Sequence, residues 1–241
     1  MSKANNKAKP KYIREEDVAR EFLSINKELK LTDKQKQLVK QIEQDKIVIV
    51  TGPAGTSKTW VSCYSSIQLL KKNKISKIIL CKPTVITSGS VDLGALPGEL
   101  SDKIGPFAES FYQNFSEIIP AHDLKSLIES KAIEFVPVQF MRGYTFKKNT
   151  IVLVDEFQNF HFNELYTIVT RLGKDSKIVF AGDATQNDIK LKYLAVAKFQ
   201  KLLEDLPGIS NFEFDRSDNM RDPLLVEITD RYEKMNDDEK K

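Results

Sequence analysis

Thr51-Gly52-Pro53-Ala54-Gly55-Thr56-Ser57-Lys58-Thr59 is the stretch that decides the fold. It follows the apolar run Ile47-Val48-Ile49-Val50, which reads as a buried strand, and precedes Trp60-Val61-Ser62-Cys63-Tyr64, which reads as a helix. Strand, glycine-bearing loop and helix together are the context a phosphate-binding loop requires. Glycines let backbone N–H groups turn inward on an anion, and the helix N-terminus adds the positive end of its dipole. On this reading Gly52, Pro53, Ala54, Gly55, Thr56, Ser57, Lys58 and Thr59 cradle the phosphates of ATP. Lys58 reaches the β- and γ-phosphates, and the Thr59 hydroxyl helps to hold Mg²⁺. One position departs from the usual G-x-x-x-x-G-K-[ST] pattern, where Ser57 stands for glycine. Ordinary strand-turn-helix connections also contain Gly and Lys, so the rest of the chain has to decide.

At 241 residues the chain can hold one large α/β domain or two small ones. Its 41% apolar and 29% charged content is that of a globular protein, and a net charge of +3 does not argue for nucleic acid by itself. Cys63 and Cys81 read as small core residues in a reducing compartment, not as a disulfide or a metal site. No apolar run approaches the ~18 residues of a membrane span, so a cytoplasmic protein with no membrane partner is expected.

Residues 1–11, rich in Lys and Asn, read as a disordered basic tail, with a nucleic-acid arm as the alternative. Glu15 to Leu29 carries Val18, Phe22 and Ile25 at helical spacing. Thr32 is an expected N-cap for a short helix with Leu38, Val39 and Ile42 inward. Gln35, one helix upstream of the phosphate loop, is the candidate for reading the adenine edge, since an amide offers both a donor and an acceptor. The alternative is a glutamine on an ordinary surface helix.

Beyond the loop helix, Ile78-Ile79-Leu80 is a continuous apolar run that suits a strand buried on both faces. It ends at Lys82-Pro83-Thr84, followed by a long Gly/Ser/Pro segment. Phe107, Phe111, Phe115 and Ile118 recur at helical spacing and read as core rather than as a base-stacking platform. A short helix around Leu124 to Ile128 and a strand over Ile133 to Val138 are expected next.

The strand Ile151-Val152-Leu153-Val154 runs into Asp155-Glu156. Buried aliphatics ending in two carboxylates, downstream of a phosphate loop, form a Walker B element. Asp155 can serve Mg²⁺ and Glu156 can polarise an attacking water. Asn163 is expected to cap a helix that Gly173 ends. The strand Lys177 to Ala181 finishes at Gly182-Asp183-Ala184-Thr185-Gln186, where Gln186 is the candidate γ-phosphate sensor. A helix over Val196 to Leu206, a strand over Phe212 to Phe214 and a helix over Pro223 to Tyr232 complete the domain, taken as residues 12–235. Residues 236–241 read as a charged disordered tail. The alternation of strands and helices predicts one α/β domain with a mostly parallel, RecA-like sheet flanked by helices.

Several stretches carry a resemblance that covers nearly the whole chain. They are the loop itself, Leu-Gly-Ala-Leu-Pro-Gly-Glu-Leu (Leu93 to Leu100), Phe-Met-Arg-Gly-Tyr-Thr (Phe140 to Thr145) and Val-Asp-Glu-Phe-Gln-Asn (Val154 to Asn159). Thr-Arg-Leu-Gly-Lys-Asp-Ser-Lys (Thr170 to Lys177), Gly-Asp-Ala-Thr-Gln (Gly182 to Gln186) and Met-Arg-Asp-Pro-Leu (Met220 to Leu224) complete the set. In this order the sequence resembles the PhoH family, phosphate-starvation-inducible P-loop ATPases related to the core lobe of superfamily 1 helicases. The departures are Ser57 for Gly, Phe157 for the usual Ala and Asp222 for the usual His.

The resemblance implies ATP hydrolysis with Mg²⁺, to ADP and phosphate, coupled to RNA or single-stranded nucleic acid by a homo-oligomeric ring, a hexamer being one form. The alternative is a nucleotide-dependent interaction module with little hydrolysis. Arg221, in the stretch similar to the arginine-bearing motif of helicases, is the candidate finger, preferred to Arg171 and expected to reach a neighbouring subunit's nucleotide.

Overall fold

In a computed structural model, residues 23–83, 100–183 and 190–239 are described. Six strands form one sheet: β1 (Ile47–Thr51), β2 (Lys77–Cys81), β3 (Ile133–Phe135), β4 (Thr150–Asp155), β5 (Lys177–Gly182) and β6 (Ile209–Glu213). Their order is β3-β2-β4-β5-β1-β6, and every neighbouring pair is parallel. The α/β class with a RecA-like sheet is thereby established.

The aliphatic runs do what continuous burial requires, sending alternate residues to opposite faces of the sheet. Val48, Val50, Ile78, Leu80, Ile151 and Leu153 join one core. Ile47, Ile49, Ile79, Cys81, Val152 and Val154 join the other. The first core is covered by α1 (Asp33–Gln44), α2 (Lys58–Lys71), α3 (Leu100–Ile118) and α4 (Ala121–Glu129). Phe111, Phe115 and Ile118 of α3 are fully buried there, so these three members of the stripe are core, while the Phe107 side chain lies outside what is described. The second core is covered by α5 (Phe162–Val169) and α6 (Lys190–Leu203). The remaining helix, α7 (Pro223–Glu239), follows β6 and leaves Leu224, Leu225, Ile228 and Met235 exposed. Both cysteines are buried and unpaired, and burial pushes both thiols up. No described helix is long and apolar enough to cross a membrane.

Several boundaries differ from the sequence reading. Leu23 to Leu29 is not helical; it is an irregular segment pinned by Asn26 N–H donating to Ile118 O at 2.9 Å and Lys71 Nζ donating to Leu23 O at 2.6 Å. The strand expected through Val138 stops at Phe135, and Val138–Gly143 winds into a 3₁₀ helix. Helix α5 is capped at His161, not Asn163, because Glu164 reaches back to accept the His161 N–H at 2.8 Å. It ends at Val169, and Gly173 answers a different need. A Cβ at Gly173 would stand 2.1 Å from Phe146 O, so the glycine allows two backbones to pass. Helix α6 starts at Lys190 and ends at Leu203. The final helix continues through Glu239, past the point at which a charged tail was expected to begin.

Candidate nucleotide site

The carboxyl ends of β1, β4 and β5 open on one cavity of 280 Å³, lined by Ala54, Gly55, Ser57, Lys58, Thr59, Trp60, Asn114, Asp155, Glu156, Gly182, Asp183 and Arg221. Ligands of open α/β sheets bind at this end. The phosphate loop is a tight built object. Thr56 Oγ1 donates to Pro53 O at 2.9 Å, and Lys58 Nζ donates to Gly52 O and Pro53 O at 2.7 Å each. Gly52 is required by crowding, since a Cβ there would lie 2.6 Å from Phe214 O. Gly52, Pro53 and Thr56 therefore shape the loop from behind, while Ala54, Gly55, Ser57, Lys58 and Thr59 face the cavity.

Ser57 explains why glycine is usual at its position. Its φ of 62° and ψ of 19° are left-handed, a conformation that disfavours residues with a Cβ. Glu156 is the other non-glycine cavity residue in that region, with φ 55° and ψ 40°. Left-handed non-glycine residues are concentrated at functional sites because surrounding structure must hold them there.

Four charged groups act on Lys58, together with its burial. Burial lowers the pKa of Lys58, opposed by the carboxylates of Asp183, Glu156 and Asp155, while Arg221 adds to the lowering. Thr59 Oγ1 donates to Asp155 Oδ1 at 2.6 Å. That proton assignment leaves the hydroxyl lone pairs available to a cation. Among the described residues no group of three His, Cys, Asp or Glu could hold a metal alone. The donor set of one hydroxyl and one carboxylate instead fits Mg²⁺, which keeps waters and takes its remaining ligands from phosphate oxygens. Asp155 is 6% exposed, and its Oδ2 lies 3.2 Å from Lys82 Nζ.

Three polar residues complete the site that reasoning along the sequence had not singled out. Gln158, 3% exposed, donates through Nε2 to Glu156 Oε2 at 2.6 Å and accepts the Asp183 N–H on Oε1 at 3.1 Å. It lies within a quoted stretch, two residues beyond Glu156, and that proximity was its only signal. Asn219 donates to Ala54 O at 3.1 Å, and its Oδ1 accepts the Arg221 N–H at 2.9 Å. Asn114, on α3, donates to Ser110 O at 2.6 Å beside the cavity.

Arg221 sits at the phosphate loop of its own chain. Met220 N–H donates to Gly55 O at 3.0 Å, and a Cβ at Gly55 would meet the Arg221 stem at 2.8 Å. Arg221 thus lines the cavity of its own chain, whereas the sequence reading expected it to reach a neighbouring subunit's nucleotide. Arg171 is not among the cavity-lining residues; its backbone O accepts from Phe146 N–H at 3.2 Å.

Gln35 is likewise not brought into the cavity. Its Oε1 accepts the Thr32 N–H at 2.9 Å while Thr32 Oγ1 accepts the Gln35 N–H at 3.2 Å, a reciprocal capping box. Half of its adenine-reading capacity is thereby spent on starting α1. Gln186 and the Leu93 to Gly98 stretch lie outside the described residues.

The other two departures from the family pattern have structural reasons. Phe157 is fully buried and meets Phe180 edge-on, with ring centroids 6.1 Å apart. Asp222 Oδ1 accepts the Leu224 N–H at 2.8 Å and so caps α7, a duty aspartate performs well.

Comparison with known proteins identifies the family and the fold. The chain is 36% identical over 205 residues to a PhoH-like protein of Bacillus subtilis (strain 168), covering 84% of this chain and 63% of that one. It is 30% identical over 174 residues to Protein PhoH of Escherichia coli (strain K12), covering 71% of this chain and 48% of that one. The chain thus spans about half to two thirds of the length of these curated relatives. Among solved structures, the large terminase from a thermophilic bacteriophage shares the fold, with a TM-score of 0.52 at 13% identity over 86% of this chain and 50% of that one. The family model described as PhoH-like protein matches residues 29–233, and the chain belongs to that family of P-loop proteins.

Proposed function

We propose that this chain binds ATP and hydrolyses it to ADP and phosphate. The observation that carries the reading is the convergence of Lys58, Thr59, Asp155, Glu156 and Arg221 on a single cavity. Water attacks the γ-phosphorus in line, the bond to the β–γ bridging oxygen breaks, and ADP leaves with that oxygen. Glu156 orients the water and accepts its proton as the new P–O bond forms. Lys58 exchanges its bonds to the Gly52 and Pro53 carbonyls for β- and γ-phosphate oxygens, aided by the N–H groups of the loop. Thr59 and Asp155 would hold Mg²⁺, which supplies neutralisation of charge on the phosphate oxygens. Arg221, in cis, stabilises charge on the transferring group. Gln158 holds Glu156 at the distance its task needs.

The fuller expectation of a ring acting on RNA or single-stranded nucleic acid divides into two parts. A homo-oligomer is favoured by the exposed Leu224, Leu225 and Ile228 of α7, immediately after Arg221. Nucleic-acid coupling has no comparable observation behind it and is not proposed. The decisive experiment is phosphate release from ATP by the purified chain against Lys58→Ala. Mg²⁺-dependent release by wild type and its loss in the folded variant support hydrolysis. Tight nucleotide binding without release would favour the interaction-module reading.

A further inference from the structure

We propose that Lys82 is a resident counter-cation of the metal site, setting how tightly Thr59 and Asp155 take up Mg²⁺; the proposal rests on the ATP reading above. Sheet register brings Lys82 and Asp155 together. Cys81 of β2 pairs with Val154 of β4, so the residues that follow, Lys82 and Asp155, leave adjacent parallel strands side by side. Lys82 Nζ stands 3.2 Å from Asp155 Oδ2. The ammonium also donates to Ser110 Oγ on α3, at 2.7 Å, and lies 5.6 Å from the centre of the Phe111 ring.

Both carboxylate oxygens of Asp155 are thus engaged, Oδ1 by Thr59 and Oδ2 by Lys82. The pair is poorly screened, since the lysine side chain is 19% and the aspartate 8% exposed. A dication arriving between Thr59 and Asp155 meets a carboxylate whose charge is already balanced, with an ammonium a few ångströms behind it. Like charges at such distances in a partly buried site repel strongly. Lys82 therefore lowers the affinity of the site for Mg²⁺ and makes uptake depend on the further negative charge of a bound nucleotide. The lysine type suits this work, being a compact charge on a flexible stem that can keep its bond to Ser110 while moving off the carboxylate when that serves a metal.

A plain structural strap between β2, β4 and α3 would use the same contacts. The two roles differ in what they do to metal dependence. A strap affects stability alone, whereas a counter-cation shifts the Mg²⁺ concentration at which nucleotide binding is strengthened.

The test is ADP binding titrated against Mg²⁺, followed by the fluorescence of Trp60, which is the chain's single tryptophan and lines the cavity. Lys82→Met and Lys82→Gln, the second keeping hydrogen-bonding capacity, are compared with wild type and with Lys82→Arg. In both neutral variants the half-saturating Mg²⁺ concentration should fall about tenfold, a typical coupling between sites. ADP affinity in EDTA should change far less, and Lys82→Arg should titrate like wild type. An unchanged or raised half-saturating Mg²⁺ in either neutral variant that folds, judged by its thermal melt, overturns the proposal. Wild type showing no ADP binding by fluorescence or calorimetry removes the nucleotide reading itself, and this inference with it.

Discussion

Gln158 ties Glu156 to the end of the neighbouring strand, donating to Glu156 Oε2 at 2.6 Å and accepting the Asp183 N–H at 3.1 Å. The bond matters because Glu156 stands in a left-handed turn between the end of β4 and the 3₁₀ helix Phe157–Asn159, at a position that makes no side-chain cap bond of its own. Gly182 belongs to the same device, since a Cβ there would lie 2.2 Å from Gln158 Oε1. Replacing Gln158 with Met keeps the volume and removes both bonds. The expected outcome is a fall in kcat of about 10–100-fold, the scale seen when an orienting partner is lost, with ADP affinity little changed. Steady-state hydrolysis beside ADP calorimetry checks it; equal loss in both would mean that Gln158 only supports the fold.

The two adjacent carboxylates should separate by function. Glu156→Gln keeps shape and loses basicity, so ATP and Mg²⁺ should still bind while turnover falls by roughly 10²–10⁴. Asp155→Asn removes the charge that Thr59 and Lys82 both address, so the Mg²⁺ dependence of nucleotide binding should weaken as well. Near-normal hydrolysis by both variants would place the water-activating group elsewhere.

Much of this arrangement was legible along the chain, and the part that was not has a physical reason. Ile47 to Val50, Ile78 to Leu80 and Ile151 to Val154 announce doubly buried strands by continuous apolarity, and the strand-loop-helix at Thr51 to Thr59 announces the anion site. What escaped were contacts made by register and turn geometry. Lys82 meets Asp155 because β2 and β4 are neighbours in the sheet, which spacing along the chain does not reveal. Gln158 reaches both Glu156 and Asp183 because of a left-handed turn at Glu156. Gly173 resembled a helix stop, whereas its cause is the close passage of Phe146 O.

Ser57 sets up a stability test. A side-chain-bearing residue in the left-handed region costs about 1–2 kcal/mol, and glycine there regains it less the extra freedom of the unfolded chain, about 0.4–1 kcal/mol. Ser57→Gly should therefore raise the unfolding midpoint by about 2–4 °C for each kcal/mol gained. Turnover should rise too, because the Cβ that faces the cavity is removed. A lower midpoint by calorimetry would show that the serine side chain contributes more than its backbone costs.

Lys58 makes nucleotide binding sensitive to alkaline pH. Burial places its pKa below the ordinary lysine value, and phosphate groups added beside it favour the charged form and raise that pKa again. The bound protein then holds more protons than the free one, so affinity should fall as pH rises through the free-state value. Proton uptake on binding should appear in the same range. Calorimetry of ADP binding in two buffers of different ionisation enthalpy reads it directly; proton release there, or none, would contradict the assignment of Lys58 to the phosphates. The sign for stability is separate. The folded protein pays for a charged, buried Lys58 at neutral pH, and that penalty is relieved as pH rises from the lowered value toward the unfolded one.

Arg221 decides between two architectures. A trans arginine requires a ring, while a cis arginine requires only that the segment after β6 stay clipped to the phosphate loop. That clip is visible in the Asn219 bond to Ala54 O, the Met220 N–H bond to Gly55 O and the packing of the arginine stem over Gly55. Lys34 strengthens it from α1, standing 3.0 Å from Asp215 and 3.1 Å from Asp218. Arg221→Ala should reduce kcat by about 10³ or more, the scale of arginine contributions to phosphoryl transfer, and Asn219→Ala should weaken hydrolysis by loosening the same clip. Mixing Arg221→Ala with Lys58→Ala should leave hydrolysis at the sum of the two, because neither chain can lend its arginine to the other. Rescue in proven mixed assemblies would show that the arginine crosses between subunits, and the exposed apolar residues of α7 would then mark the contact that carries it.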